Sequence, residues 1–191
     1  LADRPGALRT WTMSTGSRGQ GRAFPSRYLT RVLLTDRVSG SLVAVHNTHL
    51  NQFIERHGVP RDNPTWRQAD RHLTRMGKVV GRSPAAVTVL TGDFNIDARS
   101  DARVRNRSMP YRRYARLMES SYKVLGIPRA VTSHQHDPYR RAWIDYVWLR
   151  LGSQARITGQ RVASGYLGGR AHSDHAPLLV TLTLDGATPA S

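Results

Sequence analysis

An α/β fold in a single domain is expected from three features of the sequence. Short β-branched apolar runs stop abruptly at polar residues, a long amphipathic stretch with helical periodicity lies between two such runs, and no apolar run approaches the length of a membrane span. A chain of 191 residues is long enough to bury a substantial core.

In chain order, residues 28 to 36, "YLTRVLLTD", and 42 to 50, "LVAVHNTHL", read as two strands joined through the Ser39-Gly40 turn as a hairpin. The stretch "DNPTWRQADRHLTRMGKVVG" follows as a helix: Asn63 caps it, Pro64 fits its first position, and Gly81 ends it. Trp66, Ala69, Leu73, Met76 and Val80 recur along one face and are expected in the core. Ala86 to Thr91 is a strand short and apolar enough to be covered on both faces, and Gly92 lets the chain turn after it. Residues 99 to 116 carry seven arginines with Met109, Tyr111 and Tyr114 among them, and read as loop with a short helix. Strands are expected at 143 to 150, "WIDYVWLR", and 176 to 184, "APLLVTLTL", with "QARITGQRV" a weaker strand between them. Residues 1–27 read as an irregular segment, 28–184 as the domain and 185–191 as a tail.

Composition narrows the chemistry. Cysteine is absent, so disulfides and thiolate metal sites are excluded, and any metal would be held by carboxylates, amides and imidazoles. The formal charge is +16, from 27 Arg and two Lys against eleven Asp and two Glu. Such a field attracts anionic partners, a nucleic-acid backbone first and an anionic lipid surface by the same rule. The arginine-rich 99–116 segment reads either as a solvated face or as a phosphate-tracking surface with interleaved aromatic rings. No obligate protein partner is evident, and a monomer is expected. The chain starts without Met and without a basic-then-apolar leader, so residue 1 need not be the natural start, and the compartment stays open between secreted and cytoplasmic.

Four stretches set polar groups at or beside the end of an apolar strand: "VHNTHLN" with His49, "TGDFNID" with Asp93 and Asn95, "WIDYVWL" with Asp145, and "HSDHAPLLV" with Asp174 and His175. Ligands in open α/β sheets bind beyond the carboxyl ends of strands, which makes Asp93 and Asn95 site candidates rather than turn residues alone. Asp145 lies between Ile144 and Tyr146, and a buried carboxylate there needs a partner. His175, at the start of another strand, is the natural one, because a carboxylate on one ring nitrogen fixes the tautomer and raises the basicity of the imidazole.

The order Thr-His-Leu, Gly-Asp-Phe-Asn, Ile-Asp-Tyr-Val, Ser-Asp-His-Ala-Pro resembles the endonuclease/exonuclease/phosphatase superfamily over roughly residues 28 to 184. The resemblance implies a four-layer α/β/β/α sandwich of two packed mixed sheets, and a metal-dependent phosphodiesterase. It implies that Asp93 deprotonates the attacking water, that Asn95 holds the nucleophile or a phosphate oxygen, and that His49 and His175, the latter oriented by Asp145, donate to the phosphate oxygens. It further implies a divalent cation, Mg²⁺ with Mn²⁺ or Ca²⁺ as alternatives, held by Asp174 with Asp93 and Asn95.

One departure from the family stands out: its upstream Asn and metal-binding Glu at strand ends have no counterpart before His49. The only glutamates here are Glu55 and Glu119. The expectation is a chain short of its first third, weakly active or inactive by itself. The charge favours DNA or RNA as substrate; a sphingomyelinase-like or small-molecule phosphodiesterase and a catalytically dead nucleic-acid-binding homologue are the alternatives. His134 and His136 read as surface residues, Thr132 as structural, Arg67 and Gln68 as packing residues, and His46 as pairing with a neighbouring group.

Overall fold

The computed structural model describes residues 8–15, 17–19, 22–24, 26–133, 141–163, 166–167, 170–171 and 173–185. Its elements begin with β1 (Leu8–Ser14), β2 (Ser17–Gly19), β3 (Arg22–Phe24), β4 (Arg27–Thr35) and β5 (Leu42–His49). A small hairpin of β6 (Glu55–Arg56) and β7 (Val59–Pro60) leads into helix α1 (Pro64–Gly81) and strand β8 (Val87–Asp93). Next come α2 (Ala98–Val104), α3 (Pro110–Arg113), β9 (Met118–Ser120), α4 (Ser121–Leu125), β10 (Asp145–Arg150) and β11 (Ala155–Val162). The short pair β12 (Tyr166–Leu167) and β13 (Arg170–Ala171) precedes β14 (Leu178–Leu184).

Six strands form one sheet in the order β1-β4-β5-β8-β10-β9. Only β5 and β8 run parallel, because α1 carries the chain back between them; the other neighbours are antiparallel, so the sheet is mixed. The expected hairpin of β4 and β5 is present, with Asp36 accepting the Ser39 N–H at 2.7 Å in its turn. The helix begins where its sequence says. Asn63 accepts the Trp66 N–H at 2.7 Å, Pro64 occupies the first turn, and Ala69, Leu73, Met76 and Val80 are buried at helical spacing.

Alternation along the central strands divides the core in two. Leu90, Tyr146 and Trp148 point toward α1 and join Leu50, Ile54, Leu73, Met76, Phe94 and Ile96. Val87, Val89 and Leu149 point the other way and pack with Ala155, Ile157, Val180 and Leu182 of the β11–β14 pair, which forms a second sheet over the first. Each fully buried Leu, Ile or Met contributes roughly 1.5–3 kcal/mol. The architecture is thus mixed α/β with two packed sheets, as the resemblance implies. Phe94, Tyr146 and Trp148 form an aromatic row under α1, with Tyr146 and Trp148 stacked 5.4 Å apart.

Residues 8–14, expected to be loop, form strand β1 along the edge of β4. Its polar residues hid it: Trp11 lies against the guanidinium groups of Arg9 and Arg31, 4.9 and 5.5 Å away, so burial there is shared with charge rather than with an apolar alternation. The strand expected at 86 to 91 also runs two residues further, so Asp93 is the last residue of the strand itself.

Candidate active site

Register brings the site together. His49 of β5 lies opposite Asp93 of β8, and Asp93 lies opposite Asp145 of β10, so three polar residues form one line across adjacent strands on one sheet face. Gly92 makes the line feasible. It sits at φ +142°, and a Cβ there would lie 1.9 Å from the Thr48 carbonyl oxygen. Only glycine allows β5 and β8 to approach this closely beside Asp93.

The loop after β8 is pinned on both sides. Leu50 N–H donates to the Asp93 carbonyl at 2.9 Å, and Phe94 N–H to the Ile144 carbonyl at 2.8 Å. Asn95 takes a left-handed backbone, φ 50°, which Asn tolerates better than most residues. Its N–H donates to Asp93 Oδ1 at 2.7 Å, and its amide nitrogen reaches the Leu50 carbonyl at 3.0 Å and Asp93 Oδ2 at 3.3 Å.

His175 enters from the second sheet, just ahead of β14. Its Nδ1 hydrogen-bonds Asp145 Oδ2 at 2.8 Å, which leaves Nε2 turned to Asp93 Oδ2 at 3.8 Å. The ring of His49 approaches the same Asp93 oxygen through Nε2 at 3.3 Å. Both imidazoles therefore converge on one carboxylate. Thr132, buried and structural as expected, accepts the N–H groups of Ile144 and Asp145 at 3.1 and 3.2 Å, and its carbonyl accepts the Ala176 N–H at 2.8 Å. This single residue couples the Asp145 strand to the segment bearing His175. Tyr122 adds a hydrogen bond from its hydroxyl to the Asp145 carbonyl at 2.6 Å.

Electrostatics sorts these groups. Burial, with Asp145 adding like-charge repulsion, pushes the Asp93 carboxyl up to about 6, against the Asn95 N–H and the positive charges of His175 and Arg27. Burial also raises Asp145, against the pull of His175 and Thr132. The two histidines move apart. Burial lowers His49, helped by Arg27 and His175. For His175 burial acts downward too, but Asp145, Asp93 and Asp174 outweigh it and the ring is raised above its usual range. The arrangement sets a carboxylate that changes charge near neutrality beside one imidazole biased toward the cation and one toward the neutral form.

Arg27, Asn51 and His72 carry no signal in the sequence, and other residues take places that the fold decides. Arg27 opens β4 and donates from Nε to Asn51 Oδ1 at 2.6 Å; Asn51 in turn donates to Gln68 Oε1 at 2.6 Å, and Gln68 donates to the Thr15 carbonyl at 3.0 Å. This relay ties the arginine beside Asp93 and His49 to α1. His72, on the buried face of α1, meets Thr48 Oγ1 at 2.9 Å, and burial holds it down at about 4. His46 is buried as well, its Nδ1 3.3 Å from the Val89 carbonyl, and burial brings it to about 4. Arg67 is an exposed partner of Asp62. His134 and His136 lie outside the described residues. Asp174 is exposed next to His175, on which its charge acts.

The metal expected from the resemblance can be tested against these donors. Asp93 and Asn95 adjoin, yet among the described residues no group of three or more His, Cys, Asp or Glu is gathered to hold an ion. Asp93 Oδ1 and Oδ2 are already faced by the Asn95 N–H and by two imidazoles. The described residues do not make a complete divalent-cation site.

No family model matches the chain, and no curated protein does. Solved structures do. The chain is similar to an endonuclease/exonuclease/phosphatase from Bacteroides vulgatus, with 20% identity and a TM-score of 0.60 over 93% of this chain and 65% of that one. It is also similar to D. rerio TDP2 complexed with a single-strand DNA product, at 17% identity and a TM-score of 0.62 over 92% and 66%. A third is the mannosyl-6-phosphatase Bt3783 of Bacteroides thetaiotaomicron VPI-5482, at 17% identity and a TM-score of 0.59 over 95% and 69%. The chain spans about two thirds of the length of these structures. These likenesses show that the chain has the fold of these endonuclease/exonuclease/phosphatase structures.

Proposed function

We propose that the chain is the catalytic part of a phosphoester hydrolase acting on a nucleic acid. The observation that carries this reading is the convergence of His49 and His175 on one Asp93 oxygen, with Asp145 behind His175. A carboxyl raised to about 6 by burial is a competent base just above that pH. Asp93 takes a proton from water as the water oxygen bonds to phosphorus and the bond to the leaving oxygen breaks. His175 Nε2–H, held in position through Nδ1 by Asp145, donates to a phosphoryl oxygen as charge builds there, and His49 does so from the other side. Asn95 fixes the Asp93 carboxylate, and Arg27 adds positive charge beside it.

Mg²⁺ belongs to this proposal only with a further ligand. Asp93, Asn95 and Asp174 offer hard oxygen donors but do not close a site, so no step above runs through a metal. Nucleic acid is favoured as substrate by the charge of +16. The likeness to TDP2 complexed with a single-strand DNA product agrees with that choice, whereas the likeness to a mannosyl-6-phosphatase keeps a small phosphate monoester as the second reading.

The test is plasmid cleavage and hydrolysis of bis(p-nitrophenyl) phosphate, with and without Mg²⁺, by the 191-residue chain and by the longest coding frame that contains it. Nicking that disappears in Asp93→Ala supports the reading. Hydrolysis of the small diester without nicking moves the substrate to a small phosphoester, and a form that binds DNA yet hydrolyses neither refutes catalysis.

A further inference from the structure

The segment that leaves the catalytic strand holds a second cationic feature. Beyond Asp97, which caps α2, the chain reaches an open cleft of about 610 Å³ lined by Arg107, Arg112, Arg113, Ala115 and Arg116. Among the described residues no carboxylate lines it. Arg113 is committed to α1: it pairs with the Asp70 carboxylate and donates to the Asp70 carbonyl and Thr74 Oγ1, both at 3.0 Å. Arg107, Arg112 and Arg116 are exposed and make no ion pair with a described residue.

What separates this cleft from an ordinary solvated face is its frame. Met109, Pro110 and Tyr114 are buried beneath it, the Tyr114 hydroxyl donates to the Leu73 carbonyl at 2.7 Å, and the Tyr111 N–H donates to the buried Asp101 carboxylate at 2.9 Å. The backbone carrying the guanidinium groups is therefore fixed on the core. Cations gathered on an anchored backbone favour an anion, and the planar guanidinium fork matches phosphate oxygens in pairs. Several forks along one open cleft fit a ligand with several phosphates in a row better than a single phosphate.

We propose that this cleft is an exosite for a nucleic-acid backbone, separate from the hydrolytic centre, that holds the strand while Asp93 acts elsewhere on it. The proposal rests on the nucleic-acid reading above, but on binding and not on turnover.

Its test is fluorescence anisotropy of a labelled single-stranded oligodeoxynucleotide with the 191-residue chain across a salt titration. The variant R107Q/R112Q/R116Q is compared with R37Q/R82Q/R161Q, which removes the same charge from exposed positions elsewhere. The cleft variant is expected to bind about tenfold more weakly or worse and to lower the slope of log K against log salt by about 2, while the scattered variant stays within about twofold. Equal weakening by both variants, or no binding by the parent, overturns the proposal. So does a result in which the cleft variant loses phosphatidylserine vesicles but keeps the oligonucleotide. A parent that binds as expected and hydrolyses nothing supports the cleft, and the catalytic reading is then decided by the longest coding frame that contains the chain.

Discussion

Asp93 and Asp101 are carboxyls on one stretch of chain, both raised by burial, to about 6 and about 7, yet their surroundings differ in kind. Asp93 ends a strand on the face toward the second sheet, with two imidazoles, an amide and an arginine acting on it. Asp101 lies inside α2. Its Oδ2 accepts the Tyr111 N–H, and its Oδ1 has no hydrogen-bond partner among the described residues. Tyr146 and Trp148, which line the same small cavity, likewise have an unpartnered hydroxyl and indole nitrogen among the described residues. A raised carboxyl pKa alone does not mark a site; convergent proton-transfer partners with access to substrate do.

The surroundings of Asp93 are most easily destroyed at Gly92. Gly92→Ala places a Cβ against the Thr48 carbonyl, and the expected result is loss of the cooperative unfolding transition in circular dichroism, with the Asp93 site gone and no ligand able to restore it. Next are the imidazoles. His175→Ala and His49→Ala should each lower kcat by about 10²–10³ in whichever form turns over, because in the proposed mechanism each removes a donor to the developing charge. A smaller effect follows from Thr132→Val, which strands the N–H groups of Ile144 and Asp145. It should cost roughly 1–3 kcal/mol in urea unfolding and reduce kcat more than it raises KM.

Asp101 extends the contrast through stability. Its folded pKa of about 7 lies above the ordinary 3.8, so the folded chain holds a proton that the unfolded chain releases. The stability it provides is complete below about pH 4 and is lost progressively as the pH rises to about 7. Asp101→Asn removes that loss, so the variant should be more stable than the parent at about pH 8 and should show a flatter pH dependence in urea titrations. Asp93 leaves a residual slope of the same sign, ending near about pH 6.

Much of this was legible in the sequence because local rules and tertiary structure agree. The Asn63-Pro64 start of α1, the buried run of β8 and the four polar strand ends are each set by neighbouring residues. β1 escaped because its one large aromatic residue packs against two arginines, Arg9 of β1 itself and Arg31 of β4, and only the pairing with β4 supplies the second. Arg27 and Asn51 escaped, and Gln68 reads from the sequence only as a packing residue, for a similar reason. They come from β4, the loop after β5 and α1, and only the fold brings them into one relay. Asn51 stands two residues after His49, but nothing in that spacing announces a bond to Arg27.

The assignment of Asp93 as the general base stands or falls on kcat/KM for bis(p-nitrophenyl) phosphate against pH, in the form that turns over, for the parent, Asp93→Asn and Asp101→Asn. With Asp93 as the base, the parent rate climbs through about pH 6 as this carboxyl loses its proton. Asp101→Asn keeps the same limb and a rate within a few-fold, and Asp93→Asn loses a factor of about 10³. An Asp93→Asn enzyme that keeps both its rate and that limb means that some other group takes the proton.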